Sequence, residues 1–321
     1  MMFELPPLRN DPKHDAIRLA DWVEVNLIMY EAQYLSVIDV TDEVARTPPD
    51  NSDDSENRGS DEAEFKSGYW EAVEQLADSA YQELLERAQC LKDYYPLSVS
   101  RGVAQLENAT LACDLYQFLV LLRARQLYPN ALGDDGQESG FLFEKLAVYA
   151  ISAYLGSGPE HRVRFGVAGG YRGGKLPLPV TEAAEELSGR MHERPVVFSA
   201  ADTRDFGGDA ISWKPFLDRR PGQLAVIGQA TISEGAWKDD QPAKRWTERR
   251  IVGFLARPIT AVAFPETLSL TSTDELNGSD FSSIPFDRIR LLHVLQDSDL
   301  PNELVQRLKD WVQTFVQRLP R

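Results

Sequence analysis

Three oxygen-bearing side chains stand where separate elements can bring them to one place. Glu144 lies in an apolar run, FLFEKLAVYAISAYLG, that reads as a helix ended by Gly156. Asp209 follows Gly207-Gly208 and opens DAISW (209–213), a strand-like stretch. Gln229 stands near the end of the next such stretch, QLAVIGQAT (223–231). Between them DRRPG (218–222) puts Asp, Pro and Gly at turn positions. Consecutive strands joined by so short a turn pair antiparallel, so residues near one edge of each can share a site. Two carboxylates and an amide oxygen are hard donors of the kind that Mg2+, or Mn2+ in its place, accepts. A cation so held lowers the pKa of a bound water and offsets charge growing on a phosphate, which is the chemistry of phosphodiester hydrolysis.

A lysine beside the attacking water commonly completes such a site. Lys214 is five residues from Asp209, so strand alternation turns it to the opposite face. Lys238 and Lys244, beyond the Gln229 strand, are the remaining substitutes, and spacing does not choose between them. Arg219, Arg220, Arg245, Arg249 and Arg250 flank the site in sequence and suit bidentate contact with phosphate. Trp237 and Trp246 could stack on exposed bases. Each of these residues also has a plain structural reading: Asp209 as a turn residue, Gln229 as a strand-end amide, Glu144 as a solvent-facing helix residue, the tryptophans as core, and the cations as solvated surface.

The run RDFGGDAISWKPFLDRRPGQLAVIGQATISEGAW resembles the core of the PD-(D/E)XK, or restriction-endonuclease-like, nucleases. The resemblance covers roughly residues 140–295, from FLFEKLA to FDRIRLL (286–292), and relatives of that superfamily occur in phage-defence loci. It implies a central mixed sheet flanked by helices and a Mg2+- or Mn2+-dependent DNA endonuclease. Asp209 then matches the metal-binding Asp, Gln229 takes the place of the acidic residue in the (D/E)XK step, and Glu144 matches the helix Glu that some members use. The Lys of that step is Thr231 here, which implies a lysine moved to another element, Lys238 or Lys244. DNA is the implied partner, with an ATPase- or helicase-type defence subunit docking on the N-terminal helical region. The departures at Gln229 and Thr231 motivate an alternative: a catalytically inactive nuclease-fold subunit that binds nucleic acid or scaffolds a larger complex.

The elements that must position these residues follow from periodicity. Residues 13–35, 69–93 and 103–128 carry apolar side chains at helical spacing, with Pro96 and Pro129 as stops. They describe a helical region over 1–135 that carries no chemistry of its own. It is interrupted at about 46–64 by TPPDNSDDSENRGSDEAE, too polar to offset its ordering entropy and read as a disordered acidic loop. Residues 39–64 could also act as an acidic inhibitor of a basic groove. From 136 to 321 the pattern is α/β: helices over 181–192 and 301–318, and strands at VVFSA (196–200), 209–213, 223–231 and ITAVAF (259–264).

The chain of 321 residues has a formal charge of −16, which excludes a uniformly basic nucleic-acid coat. Residues 161–257 hold 16 basic and 12 acidic residues, a local +4, so the positive stretch coincides with the candidate site. Two cysteines, Cys90 and Cys113, make a disulfide framework unlikely in the sequence pattern, and no signal segment or membrane-length apolar run is visible, so the expectation is a cytoplasmic protein that does not enter the membrane. FGVAGGYRGG has no phosphate-loop context, the four histidines lack zinc spacing, and no GxSxG elbow is present.

Overall fold

The computed structural model describes residues 11–29, 34–46, 62–107, 111–128, 137–164, 208–218, 222–235, 256–268 and 283–317, with a few isolated positions besides. It divides into two compact units. The first takes residues 1–133, 267–273 and 309–321; the second takes 134–266 and 274–308. The class is mixed α/β. No helix among the described residues is long and apolar enough to cross a membrane.

The first unit contains α1 (Pro12–Met29), β1 (Leu35–Ser36), α2 (Val37–Arg46), α3 (Glu62–Leu91), β2 (Leu97–Ser100), β3 (Val103–Leu106) and α4 (Leu111–Leu127). It is not wholly helical, as periodicity suggests, because β1, β3 and β2 form a three-stranded antiparallel sheet in that order. The stretch 103–128, expected as one helix, begins as β3. The cause is the two-residue loop Arg101-Gly102, where both residues have positive φ (51° and 69°). That is the backbone of a tight hairpin whose twist matches its strands. It pairs Ser100 with Val103 and commits residues 103–106 to the ladder before α4 can start. The expected acidic loop falls mostly on residues 47–61, which lie outside the described residues.

α1 is buried on every side from Asp15 to Met29, including its charged residues. Asp21 and Glu24 are fully buried, and both face Arg87 of α3, whose Nη1 lies 3.0 Å from Asp21 Oδ1 and 2.9 Å from Glu24 Oε2. Arg87 Nε also meets Glu83 Oε1 at 3.2 Å, and Arg123 Nε of α4 meets Asp21 Oδ2 at 2.8 Å. Glu24 Oε1 accepts hydrogen bonds from the hydroxyls of Tyr95 (2.7 Å) and Tyr116 (2.6 Å). Charges can be buried in this way only because each has partners. Burial pushes the Glu83 carboxyl above its ordinary range, against the opposing pull of Arg87. The network ties three helices and the segment before β2 to one point.

The second unit is built on a five-stranded mixed sheet of order β10-β9-β7-β6-β4: β4 (Arg162–Arg164), β6 (Ala210–Lys214), β7 (Leu224–Ala230), β9 (Ile259–Ala263) and β10 (Ser283–Phe286). β7, β9 and β10 run parallel; β6 and β4 are antiparallel to their neighbours. The hairpin expected between the Asp209 and Gln229 stretches is the β6–β7 pair, with Ala210 opposite Gly228 and Lys214 opposite Leu224. A separate two-stranded ladder joins β5 (Arg190–Met191) to β8 (Ile251–Val252). The helix expected over 181–192 therefore stops short of 190, because those two residues are drawn into a non-local pairing. The strand expected at 196–200 lies outside the described residues.

α5 (Glu138–Leu155) lies against β4, β6 and β7 and is closed by Gly156 in the left-handed conformation, its N–H bonded to Ala153 O at 2.9 Å. The approach is set by Gly228. A Cβ there would stand 2.2 Å from the δ-methyl of Ile151, itself buried. α6 (Arg288–Leu295) follows β10 and is capped by Asp287, whose Oδ1 accepts from Arg290 N–H at 2.9 Å. α7 (Asn302–Gln317) starts in the second unit, and from Lys309 onward belongs to the first, where Trp311 packs edge-on against Phe118 at 5.0 Å.

Two substitutions test these supports by chemical unfolding. Arg87→Leu, which strands buried carboxylates, should lower stability by about 3–5 kcal/mol. Gly228→Ala overpacks the contact between α5 and the sheet and should cost about 1–3 kcal/mol.

Candidate functional site

The carboxyl ends of β7, β9 and β10, the start of β6 and the end of β4 share one edge of the sheet. In open α/β sheets that edge is where ligands bind, because loops diverge there and leave a crevice. Asp209 immediately precedes β6 and is buried, at 8% exposure. Its backbone N–H donates to Gly228 O at 2.8 Å, and its Oδ2 accepts from the N–H of Ala230 at 2.8 Å. The carboxylate is thus fixed by backbone on the neighbouring strand, next to Gln229. The β6–β7 register ends with Ala210 opposite Gly228, and the two hydrogen bonds of Asp209 reach Gly228 and Ala230, the residues on either side of Gln229. The Gln229 amide oxygen is buried and has no hydrogen-bond partner among the described residues. A buried acceptor left in that state carries a desolvation penalty that a ligand would relieve.

Glu144 lies on α5, half-buried, with Oε2 3.6 Å from Nη1 of Arg164, the last residue of β4. Arg164 responds to both carboxylates. Burial pulls its guanidinium below the ordinary value, Glu144 and then Asp209 hold it up, and Arg307 repels it. Glu144 is thus ion-paired to Arg164, a cation that also feels the charge of Asp209, and Asp209 is bonded to the two residues that flank Gln229. The donor set, two carboxylates and an orphaned amide oxygen, fits a hard divalent ion at Asp209 and Gln229. Glu144 is committed to Arg164 in this arrangement and joins such a set only if the guanidinium yields. Among the described residues no group of three or more His, Cys, Asp or Glu side chains stands together as a metal cluster.

The other expected residues divide into two groups. Lys214 is not part of the group around Asp209: its ammonium caps the Gly156 carbonyl at the end of α5. Thr231, at the position of the usual lysine, accepts the N–H of Ser233 on its hydroxyl at 3.3 Å, while its own N–H bonds Ala263 O. It shapes the turn after β7. Lys238, Lys244, Arg219, Arg220, Arg245, Arg249 and Arg250, like Trp237 and Trp246, lie outside the described residues.

Sequence reasoning passed over Arg164 and its neighbours. Arg162 and Arg164 alternate on β4, so both face α5. The Arg162 guanidinium lies over the Tyr149 ring, 3.9 Å from its centroid. Phe141 carries three cations: Arg164 at 4.3 Å, Lys145 at 4.6 Å and Arg307 at 4.9 Å. Two signals were present, the i, i+2 arginines of HRVR and the i, i+4 pair Phe141 and Lys145. Neither can be read as a cluster until α5 is laid on β4.

A scan against protein-family models and searches of curated proteins and of solved structures find no match to this chain.

The backbone anchoring of Asp209 has a measurable consequence. Asp209→Ala leaves the Ala230 N–H without its acceptor and should destabilise the protein by about 1–3 kcal/mol. Asp209→Asn keeps an acceptor oxygen and should cost clearly less, as thermal unfolding of the two variants would show.

Proposed function

We propose that the second unit is a restriction-endonuclease-like module that hydrolyses phosphodiester bonds, with DNA as the substrate. The observation that carries this reading is the buried Asp209 anchored across β6 and β7 at the carboxyl edge of the sheet, where Arg164, paired with Glu144, also feels its charge, on a strand whose Gln229 amide oxygen has no hydrogen-bond partner among the described residues. Asp209 and Gln229 would hold Mg2+ or Mn2+, with Glu144 added when Arg164 shifts toward substrate. The ion, when bound, supplies a water of lowered pKa and compensates phosphate charge. Asp209 keeps its carboxylate in place through the Ala230 N–H. Arg164 balances the two acids and presents a guanidinium to a phosphate oxygen. Lys238 or Lys244 would hold the attacking water, and Arg219, Arg220, Arg245, Arg249 and Arg250 would line the path of the strand. A role in anti-phage defence, with an ATPase- or helicase-type partner on the first unit and action in the cytoplasm, belongs to the same proposal.

A second reading is favoured by Thr231 and Glu144. The residue at the lysine position is spent on a turn, and the helix carboxylate is neutralised by Arg164. A site so arranged suits a nuclease-fold subunit that binds nucleic acid without cutting it.

Plasmid cleavage by the full chain in Mg2+ or Mn2+ separates the readings. The nuclease should nick or linearise plasmid, and Asp209→Asn should slow this by roughly a hundredfold or more. Equal cutting by the two proteins rejects the assignment of Asp209. Absence of cutting, together with no Asp209-dependent heat of metal binding in calorimetry, selects the non-cutting reading.

A further inference from the structure

Beside the acidic site, on the outer side of α5, is a cavity of about 400 Å3 lined by Lys145, Val148, Tyr149, Pro159, Arg162 and Arg164, and closed by Pro301, Glu303 and Leu304. All of these residues belong to the second unit. Its composition is unusual in one respect: three cations and one carboxylate share a small concave space. Neither Lys145 nor Arg162 forms an ion pair among the described residues. Each is instead held against an aromatic face, Lys145 on Phe141 and Arg162 on Tyr149. Such stacking fixes a cation in place without neutralising it. The crowding is costly to the charges themselves. Burial, then repulsion from Arg307 and Arg164, draws the Lys145 ammonium below its ordinary range.

We infer that this cavity is a binding site for a terminal phosphomonoester carried on an organic body of about mononucleotide size. Lys145 and Arg162, neither in an ion pair among the described residues, supply two cationic donors opposite the single carboxylate of Glu303, with the Glu144-paired Arg164 beside them; donors so grouped suit the several terminal oxygens of a phosphomonoester better than an internal diester. Val148, Pro159, Pro301 and Leu304 offer apolar cover for the organic part, the usual division of labour in a small-ligand site. Two sources carry this group: a free mononucleotide and the phosphorylated 5′ end of a nucleic-acid strand. The inference does not depend on hydrolysis at Asp209.

Calorimetry on the full chain would use four probes: a nucleoside 5′-monophosphate, the same nucleoside without phosphate, and a single-stranded tetranucleotide with and without its 5′-phosphate. The monophosphate should bind and the nucleoside should not. The double variant Lys145→Gln/Arg162→Gln should weaken binding roughly tenfold or more. Glu303→Gln, which removes the acid, should tighten it several-fold and serves as a second reading if the double variant folds poorly. A tetranucleotide that outcompetes the mononucleotide only when 5′-phosphorylated identifies the strand end as the source; the reverse order identifies the free nucleotide. Asp209→Asn, expected to slow cutting, removes an acid whose charge Arg164 feels and should not weaken this binding, so failure here and failure of the nuclease reading are separable. No binding of either phosphorylated probe by the unsubstituted chain, equal binding of nucleoside and monophosphate, or an unchanged affinity in a folded double variant overturns the inference.

Discussion

The second unit depends on how closely α5 can approach the sheet. At Gly228 the strand has no side chain, and the δ-methyl of Ile151 occupies the space a Cβ would need. That single close contact sets the height of a helix that carries Phe141, Glu144, Lys145 and Tyr149. Each of these meets an arginine of β4 or α7, or lines the cavity beside it. Raising the helix by even a methyl radius would separate Glu144 from Arg164 and widen the cavity, since packed interiors transmit such shifts instead of absorbing them.

Charge is handled differently in the two units. In the first, Arg87 and Arg123 are enclosed by Asp21, Glu24 and Glu83, and two tyrosine hydroxyls complete the acceptors of Glu24. Opposite charges there are matched partner for partner, as burial demands. In the second, like charges are gathered. Arg164, Lys145 and Arg307 share one ring, and Glu144 is the carboxylate paired with that guanidinium. An arrangement that raises its own electrostatic energy, with an unsatisfied amide oxygen beside it, is of the kind that accompanies ligand binding, where fold stability is given up for a prepared site.

Much of the local structure was legible in the chain. The apolar run after residue 140, its Gly156 stop, the β6–β7 hairpin and the amphipathic C-terminal helix follow from short-range periodicity and turn chemistry, and all are present. Readings failed where a non-local partner intervened. Residues 103–106 scored as helix but pair with 97–100, and residues 190–191 scored as helix but pair with 251–252. The burial of Asp21, Glu24 and Arg87 was not legible, because a single sequence contains no record of which distant charge will neutralise which.

The sequence by itself determined the helical and strand segments, the hairpin that brings Asp209 against the Gln229 strand, and the presence of hard oxygen donors suited to a cation. Those properties depend on a few neighbouring residues and on backbone geometry with fixed periods. Only the tertiary structure decided that Arg164 pairs with Glu144, that Arg162 and Lys145 line a common cavity, and that α1 is a buried, charge-bearing centre. These outcomes depend on pairwise distances between segments far apart in the chain, which packing against Gly228 and the ladder between β4 and β6 settle together.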